Sequence, residues 1–295
     1  MGRKLEALDP ALRGAPFSVR AGGAYGATRS RMRAADVVSP LRGFRVHRDD
    51  DDLMTRLRAY ALHRRLDFAF SHLTAARLHG VPLPLSAPTD IHVSVRAPGR
   101  APAVRGFVGH QLRRWETTDV GGLPVTTPVQ TWLDLGPLLS VAELIVAADF
   151  LVGAKTGLTT SAALRDAVAQ SQGRRGIARL RQALDQVRVG SESPGETQLR
   201  LLLMSTGLPE PVLNLDICDG AGRFIARVDM AYPASRVALE YEGDIHRVDR
   251  YTWMKDIRRR EQVEDLGWRM VRVTASDLRD PEALVRRLRR LLGLL

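Results

Sequence analysis

The stretch that decides the fold is residues 224–243, FIARVDMAYPASRVALEYEG. Phe224 to Ala231 and Arg236 to Glu242 are rich in apolar and β-branched residues. Between them lie Tyr232, Pro233, Ala234 and Ser235, where Pro233 cannot continue a central strand, so the pattern predicts an antiparallel hairpin. If the turn is centred near Ala234, Asp229 faces Leu239 or Glu240, at the ~4.5–5.5 Å Cβ separation of directly opposed residues. Glu240 and Glu242 are two apart, so strand alternation points both to one face. Three carboxylates thus converge on an otherwise apolar hairpin.

Like charges held that close raise the cost of ionising one another. A divalent cation relieves this, and Mg²⁺ in particular takes oxygen ligands from one or two carboxylates plus water and phosphate. Such an ion could orient a water for in-line attack on a phosphodiester. The alternative is structural: Asp229 and Glu240 could pair with Arg227 or Arg236, and Glu242, before Gly243, could be a turn residue.

The surrounding elements follow the same logic. Glu196 to Ser205 carries Leu199, Leu202 and Leu203 on one helical face, after Ser193-Pro194-Gly195 and before Gly207 and Pro209. Glu196 at its start is either a capping acid that favours the helix dipole or a fourth member of the cluster. Val212 to Ile217 reads as a strand. Asp249 can cap a helix through Trp253, Ile257 and Val263 to Leu266, and Gly267 ends it. Trp268 to Val273 is a strand, and Pro281 to Leu292 a closing helix. The order is α, β, β, β, α, β, α. His246 could serve as acid, base or loop donor. Lys255, Arg259 and Gln262 share one polar helix face suited to phosphates, and Arg258 to Arg260 could equally be a solvated cationic run.

Upstream, Gly190 to Gly195 is expected to be a linker, dividing a region 1–190 from a domain 191–295. A Gly-rich run, Ala21 to Gly26, precedes Thr28, which could cap a short helix over Ser30 to Val37 bearing Arg29, Arg31 and Arg33. Asp49 to Asp52 reads as a loop. Phe68 to Leu78 reads as one helix and Ile91 to Val95 as a strand. Small strands are expected between about 99 and 127, and helices from Pro128. His72 and His79, without carboxylate or thiol companions, are read as packing or loop residues.

The 295 residues suit two domains. With 44% hydrophobic and 26% charged residues, disorder and a membrane protein are both excluded as descriptions of the whole chain. Lys plus Arg is 44 against 33 for Asp plus Glu, a net +11 that points to a polyanion such as nucleic acid, although an Arg-rich composition can also reflect coding bias. Residues 191–295 hold 17 basic and 17 acidic residues, so the excess sits in the first 190. Cys218, the only cysteine, excludes intrachain disulfides and multi-thiolate zinc. No secretory signal or membrane span is read, and a cytoplasmic location is expected. P-loop, Gly-x-Gly-x-x-Gly, HExxH and Gly-x-Ser-x-Gly motifs are absent.

Residues 192–292 resemble the restriction-endonuclease-like superfamily with the PD-(D/E)xK motif, in the uncharacterised bacterial branch related to the very-short-patch-repair (Vsr) endonucleases. The resemblance rests on Glu196, Asp229, Glu240-Tyr241-Glu242-Gly243 followed by His246, and the strand Gly267 to Val273. It implies an α/β (α+β) fold around a mixed sheet, Mg²⁺-dependent hydrolysis (Mn²⁺ as an alternative) and a DNA substrate, with Asp229 and Glu240 as the metal pair. Glu242 stands where the motif has lysine, so Lys255 or His246 would have to substitute. More weakly, Gly26 to Val46, Ser71 to Gly80 and Thr127 to Leu135 resemble proteins with an AbiEi-type antitoxin N-terminal domain. That likeness implies a winged helix in which Arg29, Arg31 and Arg33 meet DNA. Arg258 and Arg259, on the polar helix of the C-terminal domain, are expected as separate contacts. The expectation is a metal-dependent DNA endonuclease. The alternative is a non-catalytic DNA-binding regulator or antitoxin-like protein with a toxin partner; homo-oligomerisation is open in both.

Overall fold

The computed structural model describes residues 6–63, 67–243 and 250–294, and for 250–257 the backbone. It is an α+β protein with three sheets among the described residues, forming two compact units.

The first unit comprises residues up to Leu78 together with Pro88–Thr127. It begins with β1 (Phe17–Ser18) and α1 (Val19–Ala24), the latter capped by Ser18, whose hydroxyl accepts from the Ala21 amide. β2 (Val37–Val38) and β3 (Phe44–His47) complete a small sheet in the order β1-β3-β2. Leu8, Leu12, Phe17, Met32 and Val37 form its core. The helix expected over Ser30 to Val37 shrinks to one 3-10 turn, Arg31–Arg33, because the segment has no apolar stripe to bury and Ser30 makes no side-chain cap.

α2 (Leu53–His63) follows, started by the Asp52 carboxylate on the Thr55 amide. Then come β4 (Phe68–Phe70) and α3 (His72–Leu78), where a single helix was expected. Phe68, Ala69 and Phe70 are all buried, and a strand covered on both faces shows no alternation to read. β5 (Ile91–Arg96), β6 (Phe107–Leu112), β7 (Thr117–Val120) and β8 (Leu123–Thr126) join β4 in a mixed sheet ordered β6-β5-β4-β8-β7. Tyr60 of α2, fully buried, stacks on Phe107 at 4.8 Å between ring centres and anchors that core.

The second unit holds His79–Ala87 and everything from Pro128 onward. Its helical layer is α4 (Pro128–Leu135), α5 (Val141–Val152), α6 (Ser161–Ala169) and α7 (Ile177–Leu184). α5 starts with a complete capping box, Ser140 with Glu143. The helix α8 (Pro194–Ser205) leads to β9 (Val212–Cys218), β10 (Phe224–Tyr232), β11 (Val237–Glu242), α9 (Arg250–Asp265), β12 (Arg269–Thr274), α10 (Ala275–Arg279) and α11 (Glu282–Leu291). The expected α, β, β, β, α, β, α order is present, with α10 as an addition. The sheet runs β12-β11-β10-β9: β9, β10 and β11 form an antiparallel meander, and β12 returns parallel to β11 after α9. Leu199, Leu203, Met230, Leu239, Val271 and Leu288 are among the buried residues that fill one face between sheet, α8 and α11.

The compact units divide at Thr127–Pro128, and Gly190 to Gly195 lies inside the second of them. Ser191 and Gly195 are buried there. The reason is a polar knot across the segment. Arg200 of α8 and Asp149 of α5, with side chains 0% and 1% exposed, pair at 2.9 Å. Asp149 also accepts from the Arg188 amide at 2.8 Å and has the Thr197 hydroxyl 3.0 Å away. The Arg200 guanidinium donates further to the Gln186 carbonyl. The helical layer and the α8–β12 sheet therefore share one interior.

Candidate active site

The hairpin register pairs Met230 with Leu239, Ala231 with Ala238 and Tyr232 with Val237, and its next step sets Asp229 opposite Glu240. The turn is the 3-10 segment Pro233–Ser235, closed by Arg236 in the left-handed region at φ 48°. Asp229 Oδ2 accepts from the Tyr241 amide at 2.8 Å, which fixes the carboxylate against β11. On the other side the β9–β10 ladder skips it. Val228 pairs with Leu215 and Met230 with Leu213, while Asn214, between them, has φ 46° and donates its amide to the Gly190 carbonyl. The register is the same on both sides of Asp229, so the left-handed Asn214 distorts the ladder locally without shifting it.

Glu240, half-buried, pairs with Arg259 of α9 at 2.5 Å. Its partner is thus neither Arg227, which holds Asp216, nor Arg236, which reaches the Leu266 carbonyl. Glu242 is exposed and pairs with Arg272 on β12 at 3.0 Å. Glu196, buried near the start of α8, has its amide on the Ser193 hydroxyl and accepts from the Glu192 amide at 2.8 Å. It is therefore both part of a cap and a neighbour of the cluster.

Electrostatics ties these groups together. Burial pushes the Asp229 carboxyl above the usual carboxylate range; the Tyr241 amide and the Arg259 charge hold it back, and the Glu192 charge adds to the rise. Burial also raises Glu196, and the charges of Asp229 and Glu192 push the same way. Lys155, in the turn after α5, forms an ion pair with Glu192 that raises its pKa, and it feels Glu196 and Asp229 as well. Lys155 and Glu192 are the members that sequence reasoning missed: they lie 74 and 37 residues before Asp229 and share no local pattern with it. A cavity of about 260 Å³ is walled in part by Val146, Phe150, Lys155, Gly190, Glu192 and Asn214.

Gly195 makes this arrangement sterically tight. A Cβ there would lie 2.0 Å from the Tyr241 ring. Gly195→Ala is expected to push Tyr241 aside and cost about 1–3 kcal/mol as an overpacked contact. The urea midpoint reports the stability loss, and the tyrosine amide resonance reports displacement of the Asp229 hydrogen bond.

Other expected site residues fall as follows. His246 lies outside the described residues, and Lys255 sits on α9 with its side chain outside them. Arg258 is exposed. Arg29 and Arg33 are exposed, but Arg31 is turned inward: its two terminal nitrogens hold Asp36 at 2.8 and 2.7 Å. Arg31 is therefore a brace of the small sheet rather than a cation displayed to solvent.

No family model matches the chain. It is similar to the uncharacterized proteins MT2308 and Rv2248 of two Mycobacterium tuberculosis strains, CDC 1551 and H37Rv. In each case the identity is 29% over 219 residues, covering 74% of this chain and 78% of the relative. Among solved structures it is similar to the RV2827C protein from Mycobacterium tuberculosis, at 15% identity and a TM-score of 0.42, over 70% of this chain and 84% of that one.

Proposed function

We propose that the protein is a metal-dependent DNA endonuclease of the PD-(D/E)xK kind, acting in the cytoplasm. The observation that supports this best is the placement of Asp229 opposite Glu240, on neighbouring strands of a four-stranded mixed sheet, with Glu196 within reach of the Asp229 charge. An all-oxygen donor set of this kind suits Mg²⁺, with Mn²⁺ as its substitute. Asp229 and Glu240 would hold the ion, which would supply a Lewis acid for phosphodiester hydrolysis. Tyr241 orients Asp229, and Arg259 balances Glu240 until the ion takes over that role.

Lys155 answers the departure at Glu242. The motif's cation is absent from β11, but Lys155 reaches the same carboxylates from the α5 turn, and its charge lowers the Asp229 pKa. Lys155→Met is expected to reduce turnover by about 10–100-fold, the loss typical of a residue supporting metal ligands. Because a cation that favours the ionised form of Asp229 is removed, the acid limb of the pH–rate profile should move to higher pH. An unchanged limb would remove Lys155 from the site.

The competing reading, a DNA-binding regulator or antitoxin-like protein with a toxin partner, is favoured by Glu242 in the lysine position and by Arg259 already neutralising Glu240. Incubating supercoiled and linear DNA with the protein, with and without Mg²⁺ or Mn²⁺, separates the two. Metal-dependent nicking supports the enzyme. Retained DNA binding without cleavage across metals and substrates, mismatched and methylated duplex included, supports the regulator.

A further inference from the structure

His72, His92 and His110 come from three different elements of the first unit. His92 lies on β5 and His110 on β6; Ser94 pairs with His110 in the parallel ladder, so the two histidines share one face two residues apart in register. His72 opens α3 above that face. One potential ligand atom from each lies within 4.8 Å of the others, and His92 Nδ1 is 3.0 Å from His110 Nε2. The rings are nearly parallel, His72 over His110 at 3.7 Å between centres. The sequence offers His72 no carboxylate or thiol companion; the companions that the fold gives it are histidines 20 and 38 residues away.

We propose that this trio is a binding site for a borderline divalent transition ion, Zn²⁺ foremost, with a coordination position left for water or a substrate atom. Imidazole nitrogen suits such ions and does not suit Mg²⁺, so the site is chemically separate from the carboxylates of the second unit. Tetrahedral zinc with its usual bond lengths sets ligand nitrogens about 3.3 Å apart, so the His92–His110 pair at 3.0 Å has to open slightly, the trio, which spans up to 4.8 Å, has to draw in, and the stacked rings have to turn until their lone pairs converge.

Two further observations support the assignment. His72 has φ 51°, a left-handed conformation that a side-chain-bearing residue seldom adopts and that tends to mark functional positions. Its Nδ1 lies 2.9 Å from the Ser71 hydroxyl, which receives the Ser94 hydroxyl at 2.8 Å, the kind of outer support that fixes ligating histidines. His92 is buried, whereas His72 and His110 are half-buried and leave a path for entry.

The test is titration of the full chain with Zn²⁺ and with Co²⁺, without Mg²⁺. One equivalent should bind, with the visible absorption of four-coordinate Co²⁺. Affinity should fall by more than about tenfold in His110→Gln and in His72→Ala, and should be kept in Asp229→Asn and Glu240→Gln. Circular dichroism checks that each variant folds. Independently of any variant, ring resonances of three of the seven histidines should shift together on adding Zn²⁺ to wild type. No stoichiometric binding, binding that survives both histidine variants, or shifts in other histidines overturns the proposal. Loss of DNA cleavage in the carboxylate variants with zinc binding intact would leave it standing.

Discussion

Asp149→Ala should destabilise the protein by about 3–5 kcal/mol, the cost of removing the fully buried partner of a buried ion pair. With its side chain 0% exposed, Arg200 would keep the Gln186 carbonyl and the Glu210 carboxylate 3.5 Å away, but lose the pairing at Asp149. Against a domain stability of about 5–15 kcal/mol, that loss is a large fraction. Thr197 and the Arg188 amide lose an acceptor at the same time. The double replacement Asp149→Leu with Arg200→Met removes both charges and should be milder than either single change. A double mutant as unstable as the singles would mean that packing volume, rather than charge, governs this joint. Urea midpoints for the three variants decide it.

The second large effect concerns Asp229→Asn. Partners outside a metal's own ligands are worth about 10–100-fold, so loss of a ligand should reduce metal-dependent cleavage by more than about 100-fold. Stability should change little, because asparagine can still accept from the Tyr241 amide. The wild-type pH dependence has a definite sign. A carboxylate with a raised pKa stays protonated to higher pH, and protons compete with the metal there, so Mg²⁺ affinity should climb through a range above that of an ordinary aspartate. Plasmid nicking and metal titration across acid pH measure both. Full activity in Asp229→Asn would sink the assignment of the site.

The α8 to α11 region is legible in the sequence because its strands are bounded by turn residues and its helices carry one apolar face each. Centring the turn near Ala234 narrows the residue opposite Asp229 to Leu239 or Glu240, and the register extends to Glu240. Elsewhere the local pattern is silent or misleading. The arginines at 29, 31 and 33 look alike in the sequence, yet the pair that Arg31 makes with Asp36, five residues on, turns it inward. Phe68 to Phe70 carries no alternation because both faces are covered. Lys155 and Glu192, like the three histidines, meet their partners only after chain segments of tens of residues have closed. No short-range rule can find them, since each looks like an ordinary surface residue in its own window.

The left-handed residue Asn214 also bears on the outer edge of this sheet. Among the described residues β9 is an outer strand flanked by β10, with Val212 exposed along it and Phe224 exposed on its neighbour. A continuous outer strand of that character would template the addition of another chain. Here the left-handed residue interrupts the outward row of amides and carbonyls midway, and the Asp216–Arg227 pair sets charges on the same rim. An edge distorted and charged in this way is a poorer template for an added strand than a flat apolar one.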